Sequence, residues 1–111
     1  KMTDEKFKKY TSNYYYDDYN NLYDIIEYWK QNPGLVDCMF TYKKVEYVIQ
    51  VECFPVSEYG KPYIAYYLAP DYEEEHITYF DSFEEMFENY HLQDGTLLLD
   101  YMTDPKYADA E

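Results

Sequence analysis

"LVDCMFTYKKVEYVIQVECF", Leu35–Phe54, decides the fold. Two runs of alternating apolar and polar residues flank Lys43-Lys44. A period of two marks a half-buried strand, because successive side chains point to opposite faces. Setting Tyr42 opposite Val45 gathers Val36, Cys38, Phe40 and Tyr42 on one face with Val45, Tyr47, Ile49, Val51 and Cys53. The other face takes Asp37, Thr41, Glu46, Gln50 and Glu52, with Met39 and Val48. This is the pattern of an antiparallel hairpin with one wet side. Lys-Lys lacks the Asn-Gly chemistry of a two-residue turn, so a longer loop is expected. In this register Cys38 faces Ile49, and Cys53 sits roughly 13 Å further along the strand, too far for a disulfide. Both cysteines read as small buried apolar groups, and two cysteines do not make a disulfide framework.

Upstream, "SNYYYDDYNNLYDIIEYWKQNPG" reads as a helix. Tyr15, Tyr19, Leu22, Tyr23, Ile26 and Trp29 recur at helical spacing. Ser12 or Asn13 is expected to cap its start, and Asn32-Pro33-Gly34 to stop it. The basic "KFKKY" before it is expected as a disordered arm or an extra turn. Downstream, "PVSEYGKP" reads as a loop, Tyr63–Ala69 as a third strand ended by Pro70, and "HITYF" as a short fourth strand or an extended link. Ser82 with Glu85, or Asp81 with Glu84, then makes a capping box. Phe83, Met86, Phe87 and Tyr90 follow as the buried stripe of a helix. "QDG" breaks it, and "TLLLDYM" reads as a short last helix, with a strand as the second choice. The expectation is an α+β domain: an N-terminal helix, a three- to four-stranded antiparallel sheet and one or two C-terminal helices. Residues 1–111 are expected to form one domain, with 1–11 and 104–111 flexible.

No run approaches a membrane span, and the start lacks the apolar stretch of a signal peptide. Lys1 ahead of Met2 reads as an appended residue. A soluble cytoplasmic protein, with no membrane partner, is the resulting expectation.

Charge is the second anomaly. Nine Lys and no Arg stand against 23 acids, a formal net charge of −14. Residues 1–70 carry ten acids and eight Lys, whereas residues 71–111 carry thirteen acids and only Lys106, for net charges of −2 and −12. Such a field repels nucleic acid and anionic membrane and steers toward basic partners. It exceeds the magnitude of about 2–8 that solubility requires. The third anomaly is 18 tyrosines, a residue whose rigid apolar body and polar tip suit interfaces.

Known chemistries find little support. Three scattered glycines cannot cradle a phosphate. Two Cys and two His far apart are not a zinc set. Glu73–Glu75 with His76 alternate in direction and lack the loop of a calcium site. Neither metal nor cofactor is expected. Cysteines on the core face of strands are inert thiols, and pairs of acids are always findable among so many. Catalytic residues are expected to be none, and the chain is read as no enzyme. Direct nucleic-acid binding is not expected without a basic patch.

The remaining candidate is a carboxylate array interleaved with tyrosine in "DYEEEHITYFDSFEEMFENY", Asp71–Tyr90. Its members are Asp71, Tyr72, Glu73, Glu74 and Glu75, then Tyr79, Asp81, Glu84, Glu85 and Glu88. Acids at a helix start are stabilising in themselves, which explains Asp81, Glu84 and Glu85 in part. Three adjacent acids at Glu73–Glu75 repel and need another reason. Carboxylates spaced like phosphates can enter a basic groove that normally holds DNA. A second candidate patch is Tyr14, Tyr15, Tyr16, Asp17 and Asp18.

The order of one helix, an antiparallel sheet, an acidic loop and acidic C-terminal helices resembles small phage-encoded anti-CRISPR proteins that block Cas9. "FDSFEEMFENYHLQDGTLLLDYM" (Phe80–Met102) also resembles the ends of small proteins of phages and mobile elements. The first resemblance implies a DNA mimic that occupies the site reading the protospacer-adjacent motif. The expected partner is therefore a basic nucleic-acid-binding protein, a Cas9-type effector or a toxin nuclease neutralised by an immunity protein. A tyrosine-rich homo-oligomerising module is the other reading.

Overall fold

The computed structural model describes residues 1–52 and 60–104. It is an α+β fold. Two helices, α1 (Asp4–Thr11) and α2 (Leu22–Gln31), precede a short 3-10 turn at Pro33–Leu35. Four strands follow: β1 (Cys38–Tyr42), β2 (Val45–Val51), β3 (Pro62–Leu68) and β4 (His76–Tyr79). Helices α3 (Phe83–Asn89) and α4 (Leu98–Thr103) complete the chain. It groups into two compact units, one of residues 1–31 with those from Phe87 on, the other Asn32–Met86. Cys53 and most of the expected "PVSEYGKP" loop lie outside the described residues, as does the tail beyond Asp104.

The Asn32–Met86 unit is the sheet, an antiparallel meander in the order β1-β2-β3-β4. Tyr42 pairs with Val45 and Cys38 with Ile49, the register the alternation predicts. Cys38, Phe40, Tyr42, Val45, Tyr47, Ile49 and Val51 are all buried. Each large side chain removed from water in this way contributes about 1.5–3 kcal/mol. Phe40 stacks on Tyr47 with ring centroids 5.0 Å apart. Strand β2 pairs with β3 through Ile49–Ile64, and β3 with β4 through Ile64–Thr78. "HITYF" is thus a true strand over His76–Tyr79.

The expected longer loop at Lys43-Lys44 is corrected. Only these two residues separate the strands, at φ +50° and +67°. Positive φ at both central residues is the type I′ pattern, whose twist matches the flanking strands. The left-handed region costs an ordinary residue roughly 1–2 kcal/mol. The burial gained by keeping Tyr42 opposite Val45 outweighs that cost, so packing overrides turn chemistry.

In the other unit the expected N-terminal helix is also corrected. Residues 13–21 are not helical, and the flexible arm expected over residues 1–11 is largely helix α1. Thr3 caps α1 by accepting the Lys6 N–H, with Asp4 and Glu5 in its first turn. Phe7 and Thr11 form its buried side. Ser12 ends α1 rather than starting α2, its hydroxyl donating to the Lys8 carbonyl at 2.5 Å. The reason α2 begins late lies in Asp17 and Asn21. Asp17 Oδ1 accepts the backbone N–H groups of Tyr19 and Asn20 at 2.8 and 2.7 Å, which pulls the backbone into a turn. Asn21 Oδ1 then accepts the Asp24 N–H and caps α2. Of the expected stripe, Leu22, Ile26 and Trp29 are buried, while Tyr15 and Tyr19 stand out at 69% and 89% exposure.

The capping box is observed: Ser82 Oγ accepts the Glu85 N–H at 3.1 Å. Phe83, Met86, Phe87 and Tyr90 are buried as predicted. Gly95, at φ +92°, turns the chain into α4.

Replacing Lys43-Lys44 by Asn-Gly is expected to raise stability by about 1 kcal/mol, since both residues accept left-handed backbone. Urea unfolding checks this: the midpoint should rise with the slope unchanged. An unchanged midpoint contradicts the two-residue turn.

Candidate functional site

The β3–β4 connection carries the main acidic run. Asp71, Tyr72, Glu73, Glu74 and Glu75 are all exposed. Local bonds explain how adjacent acids coexist there. Asp71 Oδ1 accepts the Glu73 N–H at 3.0 Å and shapes the turn. Glu74 lies 3.9 Å from His76 Nε2, an ion pair only when the imidazole is protonated. Glu75 accepts a hydrogen bond from the Tyr67 hydroxyl. The three carboxylates are thus held to different neighbours, or to none, instead of to one another.

The rest of the predicted array divides. Tyr79 is exposed on β4 and donates to Glu52 Oε2 at 2.9 Å. Asp81 is exposed and sits 3.7 Å from Lys61 Nζ, so part of its charge is offset. Glu84 and Glu85 are half-buried in the first turn of α3. Glu88 belongs to the other unit and accepts the Met2 backbone N–H at 2.6 Å.

The register reveals a surface that the one-dimensional reading left incomplete. On the sheet face opposite the buried one, rows of side chains run across the strands. One row joins Thr41, Glu46 and Tyr67, with Glu75 bonded at its end. The middle row is Met39, Val48, Ala65 and Ile77. The next joins Gln50, Tyr63 and Tyr79, with Asp37 at one end. Tyr63 donates to Gln50, and Gln50 Nε2 donates to Asp37 at 3.5 Å. Tyr63 and Tyr79 rings lie 5.4 Å apart. The wet positions of β1 and β2 follow from their alternation, but Tyr63, Tyr67 and Ile77 join them only through the pairing of β3 and β4. The alternation Tyr63-Ala65-Tyr67 carried that signal.

The Tyr67 hydroxyl is pushed up to about 12, first by its hydrogen bond to Glu75 and then by burial. The folded value lies above the ordinary 10.0. The contribution of this bond to stability is therefore complete below the ordinary value and is lost as pH rises toward about 12.

The sequence halves differ sharply in charge, but the fold moderates this. Val45 pairs with Leu68, so the Lys43-Lys44 turn and the Asp71–Glu75 connection project from the same end of the sheet. That end of the sheet thus carries two cations as well as the acidic run.

The second candidate patch is split by its own packing. Tyr16 meets Trp29 edge-on at 5.6 Å, and Tyr14 lies 5.3 Å from Tyr10. Tyr15, Asp17 and Asp18 point outward. The Tyr19 N–H, foremost, holds the Asp17 carboxyl below its usual range, so this acid serves the turn.

Among the described residues no group of three His, Cys, Asp or Glu side chains is placed to hold a metal ion. No helix among them is long and apolar enough to cross a membrane. Comparisons with protein-family models, with curated proteins and with solved structures found no match.

Glu75→Gln is expected to return the Tyr67 ionisation from about 12 toward 10.0. Following the ring 13Cζ resonance of Tyr67 through an alkaline titration checks it. An unmoved midpoint shows that Glu75 is not the cause.

Proposed function

We propose that this chain is a non-enzymatic acidic inhibitor that binds a basic nucleic-acid-handling protein by presenting carboxylates in place of DNA phosphates. The observation that carries the reading is the exposed run Asp71–Glu75, four carboxylates within five residues on one sheet connection. Glu75 is held in place by Tyr67, which lowers the entropy lost on pairing with an arginine. Charge-assisted bonds from Arg and Lys to such carboxylates resemble those made to phosphate oxygens. The resemblance to anti-CRISPR proteins makes a Cas9-type effector in the bacterial cytoplasm the first target to test, through the arginine and lysine groups that contact the motif duplex or the displaced strand.

The test is displacement of DNA from a Cas9–guide complex by the purified chain over a salt series. Competition that weakens as salt rises supports the reading; absence of competition, or competition indifferent to salt, ends it for this target. Reversing Glu73, Glu74 and Glu75 to Lys is expected to leave the fold intact, because exposed charges contribute little to stability. The same triple variant should lose the competition. Circular dichroism and the displacement assay read the two halves of that expectation separately.

A further inference from the structure

The outer face of the sheet combines three features. Its middle row is apolar and crosses all four strands from Met39 to Ile77, about 14 Å at the usual strand spacing. The ends of that row are open to water, with Met39 65% and Ile77 42% exposed. Ala65 at its centre is only 2% exposed, since larger residues stand on every side of it. The row is thus a shallow trough between Glu46 and Tyr67 on one side and Tyr63 and Tyr79 on the other.

Polar groups on both sides of the trough are already tied to one another. Tyr67 donates to Glu75 on one side, and Tyr79 donates to Glu52 on the other. Carboxylates and rings fixed in this way lose little freedom on binding. An apolar centre with a polar, aromatic rim is the anatomy of a protein interface.

Charge selects the occupant. Asp37, Glu46, Glu52 and Glu75 border the trough; the three rows carry no lysine, and the one beside Glu52, Lys61, sits 3.7 Å from Asp81. A second copy of this chain, with a formal net charge of −14, would bring like charge against like. Arginine fits both parts of the rim. Its guanidinium pairs with carboxylates in a planar fork and stacks on tyrosine faces.

We infer that this face docks a cationic segment of a partner protein, with aliphatic side chains along the Met39–Ile77 trough and arginines over the flanking tyrosine–carboxylate pairs. The inference rests on the proposed function for the sign of the partner's charge alone; the surface is distinct from the Asp71–Glu74 run.

The experiment titrates the full 15N-labelled chain with a short alternating Arg/Ile peptide, and with Arg/Gly and Glu/Ile peptides as controls. Saturable shifts at Met39, Val48, Ala65 and Ile77 with Arg/Ile, weaker with Arg/Gly and absent with Glu/Ile, support the inference. Met39→Thr with Ile77→Thr keeps strand-forming residues and should weaken Arg/Ile binding at least about tenfold, the scale of an interface anchor. Glu46→Gln with Glu52→Gln should weaken it without touching the trough and flatten its salt dependence. Shifts confined to Asp71–Glu74 overturn the sheet-face inference while leaving the proposed function standing. No saturable shift at either place also overturns it, and the DNA-displacement assay then decides the proposed function alone. Concentration-dependent shifts of the face without peptide overturn it in favour of self-association.

Discussion

The pairing of Tyr42 with Val45 is the constraint on which the sheet depends. Side chains alternate along a strand, so a slip of β2 by one residue against β1 would send Val45, Tyr47, Ile49 and Val51 to water and Glu46, Val48 and Gln50 inward. Burying an unpaired carboxylate is prohibitive beside the cost of an awkward turn. The strand pair therefore keeps its register and forces Lys43 and Lys44 into left-handed backbone. Strand β3 inherits the same two faces through its pairing with β2, while β4, at the sheet edge, buries neither.

Features that depend on near neighbours were legible. The hairpin register came from alternation, α3 from Ser82, Glu85 and the spacing of Phe83, Met86, Phe87 and Tyr90, and α4 from an apolar run after a glycine. Features set by competition or by distance were not. Tyr15 and Tyr19 have helical spacing with Leu22, but Asp17 and Asn21 take the backbone N–H groups that a helix would use. Helix α1 was hidden because "KFKK" reads as charge, although Thr3, Asp4 and Glu5 before it are a helix start. For the candidate site, the exposed run Asp71–Glu75 was visible as composition, whereas the bond between Met2 and Glu88 joins residues far apart in the chain and leaves no local pattern. The rows that flank the trough likewise exist only once β3 has paired with β2 and β4.

The two oddities of composition, excess acid and excess tyrosine, have a joint physical meaning on the sheet. A phenol is a donor that does not add charge, so it can hold a carboxylate without neutralising it. Tyr67 with Glu75 and Tyr79 with Glu52 do this on two sides of the same trough. Lysine in those positions would orient the acids equally well but would cancel the field. Tyrosine gives position and keeps the negative potential.

The hairpin turn carries a kinetic consequence. Lys43 and Lys44 project from the end of the sheet that bears Asp71–Glu75. Long-range attraction of a cationic body depends on the summed potential of that end, and encounter rates respond steeply to it. On the proposed function, the turn residues would therefore slow capture of a basic partner while lying outside the trough. On the same proposal, sequence drift at this hairpin would change how fast that partner is found more than how long it stays.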